Sequence, residues 1–554
     1  MNRVWKRFGL AEGEDTDWEV WAAKLQKEVR TYAEKLDMDN FVGQAWGGSV
    51  SSEFAALHPE IKYVTASWVG LPTHYNIHPA DPMFREVAMA CIEEWQKAYG
   101  PTHIWDQAPY PETSPGATEE DKLQIKIDWA ENMTAAIAEA DPEGVLYSSG
   151  WFLATGTDWT EDVTHKYFEA LNGRYIISDT WGDKNLVYPK ADYFGGGQWD
   201  FGVLQTFGNV QRPHGDLADL LKRVKQVISD PKARNCTGFY IDPESTHHNF
   251  LYFDMATEMA WDPRPIELGD FLRRYCLRRY GAESADAMVK AWKPVVDTVY
   301  SDKTEDNPTP TYQAPLPQRP GGVDAFSDNY RRRLGYIPSL GQALELALGP
   351  RDRQKDNPHY QRDIIDIGCT LYGLVFDYHA FEIKAAFEKN DRTKLDQEAA
   401  AALKVLDGIE DLVATQAEFF IEEEMKLGRK LPKRTYTSYY TIRNNDHEVR
   451  QRYTALAGMD HYPTLLDYAA TDRVELIRYF YRPRIEAWVN HMRDNLGGEI
   501  DHNSLMNGPY KDITQSFADG NYETPKTIPS GKKAADVASS LLVSLELPEI
   551  KSKQ

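Results

Sequence analysis

Four cysteines in 554 residues, Cys91, Cys236, Cys276 and Cys369, form no CxxC pair and no finger-like spacing. Structural zinc and a disulfide framework are therefore not expected, and the four read as buried thiols. Basic charge is also short: 62 Lys and Arg against 85 Asp and Glu leave a formal charge of −23. Such a surface repels nucleic acid and anionic membranes, so neither is expected as a partner. No apolar run is long enough to span a bilayer. Met1-Asn2-Arg3-Val4-Trp5-Lys6 lacks the apolar core of a signal peptide, so the chain reads as soluble and, by default, cytoplasmic. No strand runs into a GxGxxG turn, which speaks against dinucleotide binding, and no cofactor is expected.

What is present is ample core material, with 42% hydrophobic and 12% aromatic residues. The length exceeds one compact core and points to more than one domain. Apolar positions at helical spacing place a helix over Asp17–Leu36, with Trp18, Trp21, Leu25, Val29 and Tyr32 on one face. Short strands follow around 40–45 and 62–68, then a helix from Pro82 to Tyr99 that stops at Gly100. His103–Pro115 starts as a strand and ends in a proline-rich loop. After it, strands near 144–149, 174–179, 201–206 and 236–241 alternate with helices over 121–140, 161–171 and 216–228. That alternation predicts a parallel sheet, and the number of units favours a (β/α)8-like barrel over an open doubly wound sheet. Only six or seven strands can be counted, so the barrel is expected to be incomplete at its N-terminus. From 264 onward the pattern is helical, with long amphipathic stretches over 363–387, 395–423, 465–480, 483–492 and 534–545. The expected division is a (β/α) barrel over 1–263 and an all-α domain over 264–554.

Barrel enzymes carry their chemistry in the loops after the strands. Four strand ends bring up notable side chains: Glu112, Trp151, Asp179 and Glu244. Two carboxylates and aromatic rings suit glycoside hydrolysis, in which one carboxyl protonates the leaving oxygen and the other stays ionised. Tyr110, Trp105 and the prolines around Glu112 suggest an apolar surround that favours the proton donor. Asp242, His247, His248 and Asn249 give Glu244 polar company that suits the anion. Each candidate also has a plainer reading. Trp151 serves as a sugar platform or as a rim residue of the core; Asp179 orients a sugar hydroxyl or caps the following turn. The pair His247-His248 does not by itself make a metal site, and no metal is expected.

The order of motifs resembles the α-N-acetylglucosaminidase family, glycoside hydrolase family 89. Its Phe-Asn-Glu-Met-x-Pro loop is similar to Tyr110-Pro111-Glu112-Thr113-Ser114-Pro115, and its Gln-Gly-Trp-Leu-Phe motif to Ser149-Gly150-Trp151-Phe152-Leu153. Its Leu-His-Asn-Phe-Gly-Gly-Asn segment is echoed by Leu204-Gln205-Thr206-Phe207-Gly208-Asn209, and its Pro-Glu-Gly motif by Pro243-Glu244-Ser245. Arg278-Arg279-Tyr280-Gly281, Leu466-Asp467-Tyr468-Ala469 and Tyr481-Arg482-Pro483-Arg484 extend the resemblance into the helical half. The resemblance implies a retaining exo-α-glycosidase for terminal N-acetylglucosamine or a related α-sugar, with Glu112 as acid/base and Glu244 as nucleophile. Phe207, Asn209 and Tyr468 join Trp151 and Asp179 as candidate sugar-binding positions. Departures stand beside the matches: Pro111 replaces an asparagine, Gln205-Thr206 replaces His-Asn, and a pocket tryptophan falls at Ala457. The family's small N-terminal domain and first barrel strand have no counterpart. A glycan-binding protein without turnover, or a truncated family member, is the alternative reading.

Overall fold

The computed structural model describes residues 2–10, 16–43, 48–66, 74–206, 212–244, 249–262, 266–302, 328–433, 444–454, 471–523 and 529–550. The chain divides into two units. One contains Met1–Leu204 and Lys222–Asp242, the other Gln205–Leu221 and Pro243–Gln554.

Nine strands are described: β1 (Phe41–Val42), β2 (Ser49–Val50), β3 (Tyr63–Ala66), β4 (His74–Ile77), β5 (Ile104–Asp106), β6 (Val145–Ser149), β7 (Tyr175–Asp179), β8 (Gln198–Gln205) and β9 (Cys236–Pro243). Six of them form one sheet in the order β1-β5-β6-β7-β8-β9, and the pairs from β1 through β8 are parallel. The sheet is rolled. Tyr147 on β6 and Tyr240 on β9 lie three strand spacings apart, about 14 Å across a flat sheet, yet their ring centroids are 6.1 Å apart. Tyr147 also stacks on Phe41 of β1 at 5.8 Å, and its hydroxyl donates to Asp200 Oδ2 on β8 at 2.9 Å. The described strands thus form an incomplete barrel, two short of the eight that close one.

The strand expected near 62–68 is real but lies elsewhere. As β3 it belongs to a small antiparallel sheet, β2-β4-β3, inserted between β1 and the helix Pro82–Tyr99, with the short helix Ser52–Leu57 between β2 and β3. Its partner β4 turns back along it through a hairpin register, Tyr63 opposite Ile77 and Ala66 opposite His74, so it cannot join a parallel array.

The connecting helices begin at side-chain caps that satisfy their free amides. Asp81 caps Pro82–Tyr99, Thr118 caps Glu119–Ala140 and Thr160 caps Glu161–Ala170. The helix Asp17–Lys35 has a full capping box between Thr16 and Glu19, but its apolar face is not in a core. Leu25, Val29 and Tyr32 are exposed, and the residue that faces inward is Arg30, bonded to the carbonyls of Tyr99 and Pro101.

The second unit is helical. Its longest helix, Pro358–Glu388, is buried through most of its 31 residues. Charged groups inside this unit are paired: Asp363 accepts from Arg279 at 2.5 and 2.7 Å and from the Tyr280 hydroxyl at 2.6 Å. Arg212 meets Asp472 in a two-bond fork at 3.0 Å each. Pairing of this kind is what makes a buried charge tolerable. Among the described residues, no helix is long and apolar enough to cross a membrane.

Candidate active site

The loop after β5 carries Glu112. Tyr110 sits in the left-handed backbone region at φ 48°, and Thr113 N–H returns to the Tyr110 carbonyl at 3.3 Å, which closes a turn with Glu112 at its tip. The loop is tied down from one side. Ser114 donates to Asp158 Oδ2, and Asp158 is itself held by the buried Lys126 ammonium at 2.5 Å. Burial alone would raise the Asp158 carboxyl, but the hydrogen bonds from Lys126 and Ser114 outweigh it and hold the group below its usual range.

Glu112 itself is exposed. Its Oε1 accepts the indole N–H of Trp151 at 2.7 Å. Trp105 is not part of its surround: that ring is in the core and donates to Asp141 at 2.9 Å. The apolar shell expected around Glu112 is therefore not found on its own loop: its carboxylate is exposed, and the rings on its side are Trp151 and, behind it, Trp181, at 5.6 Å and 57° from Trp151.

Trp151 is placed by backbone geometry. Gly150 ends β6 and donates its N–H to the Ser178 carbonyl on β7 at 2.8 Å. A Cβ at position 150 would lie 2.2 Å from that same oxygen, so the chain must have glycine where it turns into the short helix Trp151–Thr155. Ser149 and Thr180 share a hydrogen bond at 2.9 Å, which joins the two strand ends that carry the paired indoles.

Asp179 closes β7 and points inward. It is fully buried and accepts from the amides of Val187 and Tyr188, each at 3.1 Å to Oδ2. Burial raises its carboxyl to about 7 despite those bonds. This is a carboxylate that holds the 180–188 loop against the strand end. Glu244 follows β9 directly, is exposed, and is pinned through its backbone N–H to the Gln205 carbonyl at 3.1 Å. Phe207, Asn209, Tyr468, His247 and His248 lie outside the described residues.

Below the strand ends, the inside of the rolled sheet is polar. Asp200 is pushed up to about 6 by burial, partly offset by hydrogen bonds from Ser178 and Tyr147, and the Tyr240 hydroxyl donates to Asp242 at 3.1 Å. Asp200 and Trp181 are the site-level residues that motif reading passed over. Their signals are an acidic residue inside the apolar run Trp199-Asp200-Phe201, and a second tryptophan directly after a strand. Among the described residues there is no cluster of His, Cys, Asp and Glu fit to hold a metal ion.

Residues 4–263 match the family model described as the alpha-N-acetylglucosaminidase (NAGLU) tim-barrel domain, and residues 271–543 match the C-terminal domain model of the same family. The chain belongs to the α-N-acetylglucosaminidase family. Among solved structures it is similar to a family 89 glycoside hydrolase from Clostridium perfringens in complex with PUGNAc, with a TM-score of 0.79 and 18% identity. The same figures hold for that protein with 2-acetamido-1,2-dideoxynojirmycin. They hold too for a double Glu→Gln variant of it in complex with its substrate, GlcNAc-α-1,4-galactose. Each match covers 96% of this chain and 59% of that one, so the chain spans less than two thirds of the relative's length. At this identity the likeness establishes the fold. No curated protein matches the sequence.

Proposed function

We propose that this family member is a retaining α-glycosidase that removes a terminal α-linked N-acetylglucosamine or a closely related sugar. The observation that carries the reading is the carboxylate of Glu112, raised on a tethered loop after a barrel strand and bonded to Trp151 at 2.7 Å. A hydrogen-bond-anchored carboxyl beside a ring platform is the arrangement a sugar acid/base requires. The two-glutamate variant that holds substrate in the Clostridium relative supports a mechanism with two carboxylates.

In the proposed cycle Glu112 gives its proton to the glycosidic oxygen while Glu244 attacks the anomeric carbon. The C1–O bond to the leaving group breaks and a C1–O bond to Glu244 forms. Water then attacks C1, Glu112 takes its proton, and Glu244 leaves as the free carboxylate. Trp151 serves as the platform for the ring and holds Glu112 in place. Phe207, Asn209 and Tyr468 are proposed to contact the sugar, and Asp179 to act on it only through the loop it fixes. No cofactor or metal enters these steps.

The test is hydrolysis of an aryl α-N-acetylglucosaminide, with the first-formed anomer read by proton NMR. The α-anomer is expected first, and Glu112→Gln and Glu244→Gln should each lower kcat by at least about a hundredfold. Binding of N-acetylglucosamine with no turnover by the wild-type chain would favour the glycan-binding alternative. An unchanged rate in Glu244→Gln would remove that residue from the nucleophile role.

A further inference from the structure

The apolar face of the helix Asp17–Lys35 is uncovered. Half of the exposed large apolar side chains among the described residues fall in the short stretch 20–41. Leu25, Val29, Tyr32 and Leu36 form a stripe whose steps of four, three and four residues follow a straight helix. Met38 extends it. Its N–H returns to the Ala33 carbonyl at 3.1 Å, past Asp37 in the left-handed region at φ 57°. All five side chains are between 42% and 65% exposed. Trp18 and Trp21, half-buried, continue the stripe at its other end. The helix is anchored from another side, where Arg30 bonds the carbonyls of Tyr99 and Pro101.

The patch is large for a chain that works alone. Its side chains expose on the order of 600 Å², more than most monomers leave bare in one place. Two such faces together would bury about 1,200 Å², the lower end of specific interfaces.

Charge selects the partner. The whole chain carries −23, so most of its surface repels a second copy. This helix does not, because its 19 residues hold four acidic and four basic side chains. One flank of the stripe is small and uncharged, with Ala22, Gln26 and Ala33; the other carries Lys24, Glu28 and Lys35. A parallel pair of these helices would set Lys24 on Lys24 and Glu28 on Glu28. An antiparallel pair centred between Arg30 and Thr31 sets Leu25 against Leu36 and Val29 against Tyr32. The same register brings Lys24 to Asp37 of the second copy and Glu28 close to Lys35. A partner of one dominant charge gains nothing from this mixed flank, whereas a second copy meets its own pattern reversed.

We propose that this stripe is an interface between two copies of the chain, joined as an antiparallel helix pair about a twofold axis. Such an interface is self-complementary, since each contact occurs twice. The opposed helix dipoles add to the match.

Sedimentation velocity of the whole chain over roughly 1–100 µM covers the range a small interface calls for. The expected species at the top of that range is twice 63.3 kDa. High salt should favour it, because screening weakens the repulsion between two acidic copies. Val29→Glu together with Tyr32→Glu should leave a monomer throughout, with the unfolding midpoint of the dilute wild type, since both side chains face solvent. Glu28→Lys should weaken association about threefold to tenfold, the size of exposed ion pairs counted twice, and adding Lys35→Glu should restore it. Hydrogen exchange of the wild type needs no substitution: amides over 24–36 should gain protection as concentration rises. A wild-type monomer at the top of the range overturns the proposal and leaves the face to a different partner. A dimer that survives the two glutamates places the contact elsewhere, and failure of the Lys35→Glu rescue overturns the antiparallel register.

Discussion

Lys126→Met tests whether the tether on the acid loop is what the structure makes of it. Lys126 is 5% exposed and its ammonium meets Asp158 at 2.5 Å, with the Trp159 ring 5.1 Å from the same nitrogen. Deleting the cation leaves a largely buried carboxylate that keeps, among the described residues, the Ser114 hydroxyl and local backbone as hydrogen-bond partners. The expected loss is about 3 kcal/mol of stability, the low end for breaking a buried pair. Asp158→Leu alone strands the ammonium and should lose a similar amount. The double variant, with both charges gone, should return to within about 1 kcal/mol of wild type, because apolar replacement removes the desolvation penalty along with the attraction. Urea unfolding of the four proteins gives the cycle. In wild type the cation helps hold Asp158 below its usual range, and without it burial lifts that carboxyl. The Lys126→Met penalty should therefore be constant at neutral pH, begin to fade as pH falls through the variant's raised value, and be gone below the wild type's lowered one. In activity, Lys126→Met should lower kcat on aryl glycosides with poor leaving groups about tenfold, and lower hydrolysis of a glycosyl fluoride less, since only the former needs a well-placed acid. A double variant as unstable as the two singles summed would show that the pair does not couple, and the tether argument would fall with it.

Gly150→Ala should be destabilising by about 3 kcal/mol or abolish folding, because the added methyl meets the Ser178 carbonyl at 2.2 Å; an unchanged melting temperature would show that the strand ends can part. Asp363→Ala should lose about 3 kcal/mol by leaving Arg279 buried with its fork unpaired, read as a lower urea midpoint. Asp200 predicts a pH effect of definite sign. Its folded value of about 6 lies above the ordinary 3.8, so the folded chain keeps a proton that the unfolded chain releases. Its contribution is full below about 4 and is lost as pH rises through 6, to a ceiling of about 3 kcal/mol. Asp200→Asn should flatten the decline in urea midpoint across that window; an equally steep decline in the variant would assign it to other groups.

The parallel strands and the helical half were legible because each depends on a short-range pattern. β6, for example, is a five-residue run with glycine after it, and Pro358–Glu388 contains the apolar spacing expected over 363–387. Glu112, Trp151 and Glu244 were legible for a related reason: they follow strands. What was not legible depends on distant partners. The Lys126–Asp158–Ser114 tether joins three loops and helices across 44 residues. β3 reads as a barrel strand until β4 is seen to pair with it antiparallel. The helix Asp17–Lys35 shows the same limit in reverse, since the helix forms as its periodicity predicts and yet Leu25, Val29 and Tyr32 of the apolar face are exposed, with Trp18 and Trp21 only half-buried. Periodicity reports that a face exists and leaves open what covers it.

The strand-end carboxylates differ most in solvation, and that difference bears on catalysis. Asp179 and Asp200 are buried, and burial lifts both toward neutrality; their roles are to hold a loop and to fill the sheet interior. Glu112, at the tip of its turn, and Glu244, directly after β9, are exposed, so water competes with any ligand for their oxygens. An acid in that position gains its apolar surround only when a sugar ring lies over Trp151 and displaces the water. On the proposed mechanism, substrate binding completes the environment that proton transfer requires. The requirement then falls on the two rings, Trp151 and Trp181, rather than on the glutamate's own loop. Trp181→Ala should therefore impair turnover of a bound substrate more than binding, because it leaves the Trp151 indole bonded to Glu112 but without the ring 5.6 Å behind it. A fall in kcat with little change in KM on the aryl glycoside is the expected result, and an effect confined to KM would show that the indole pair only holds the sugar.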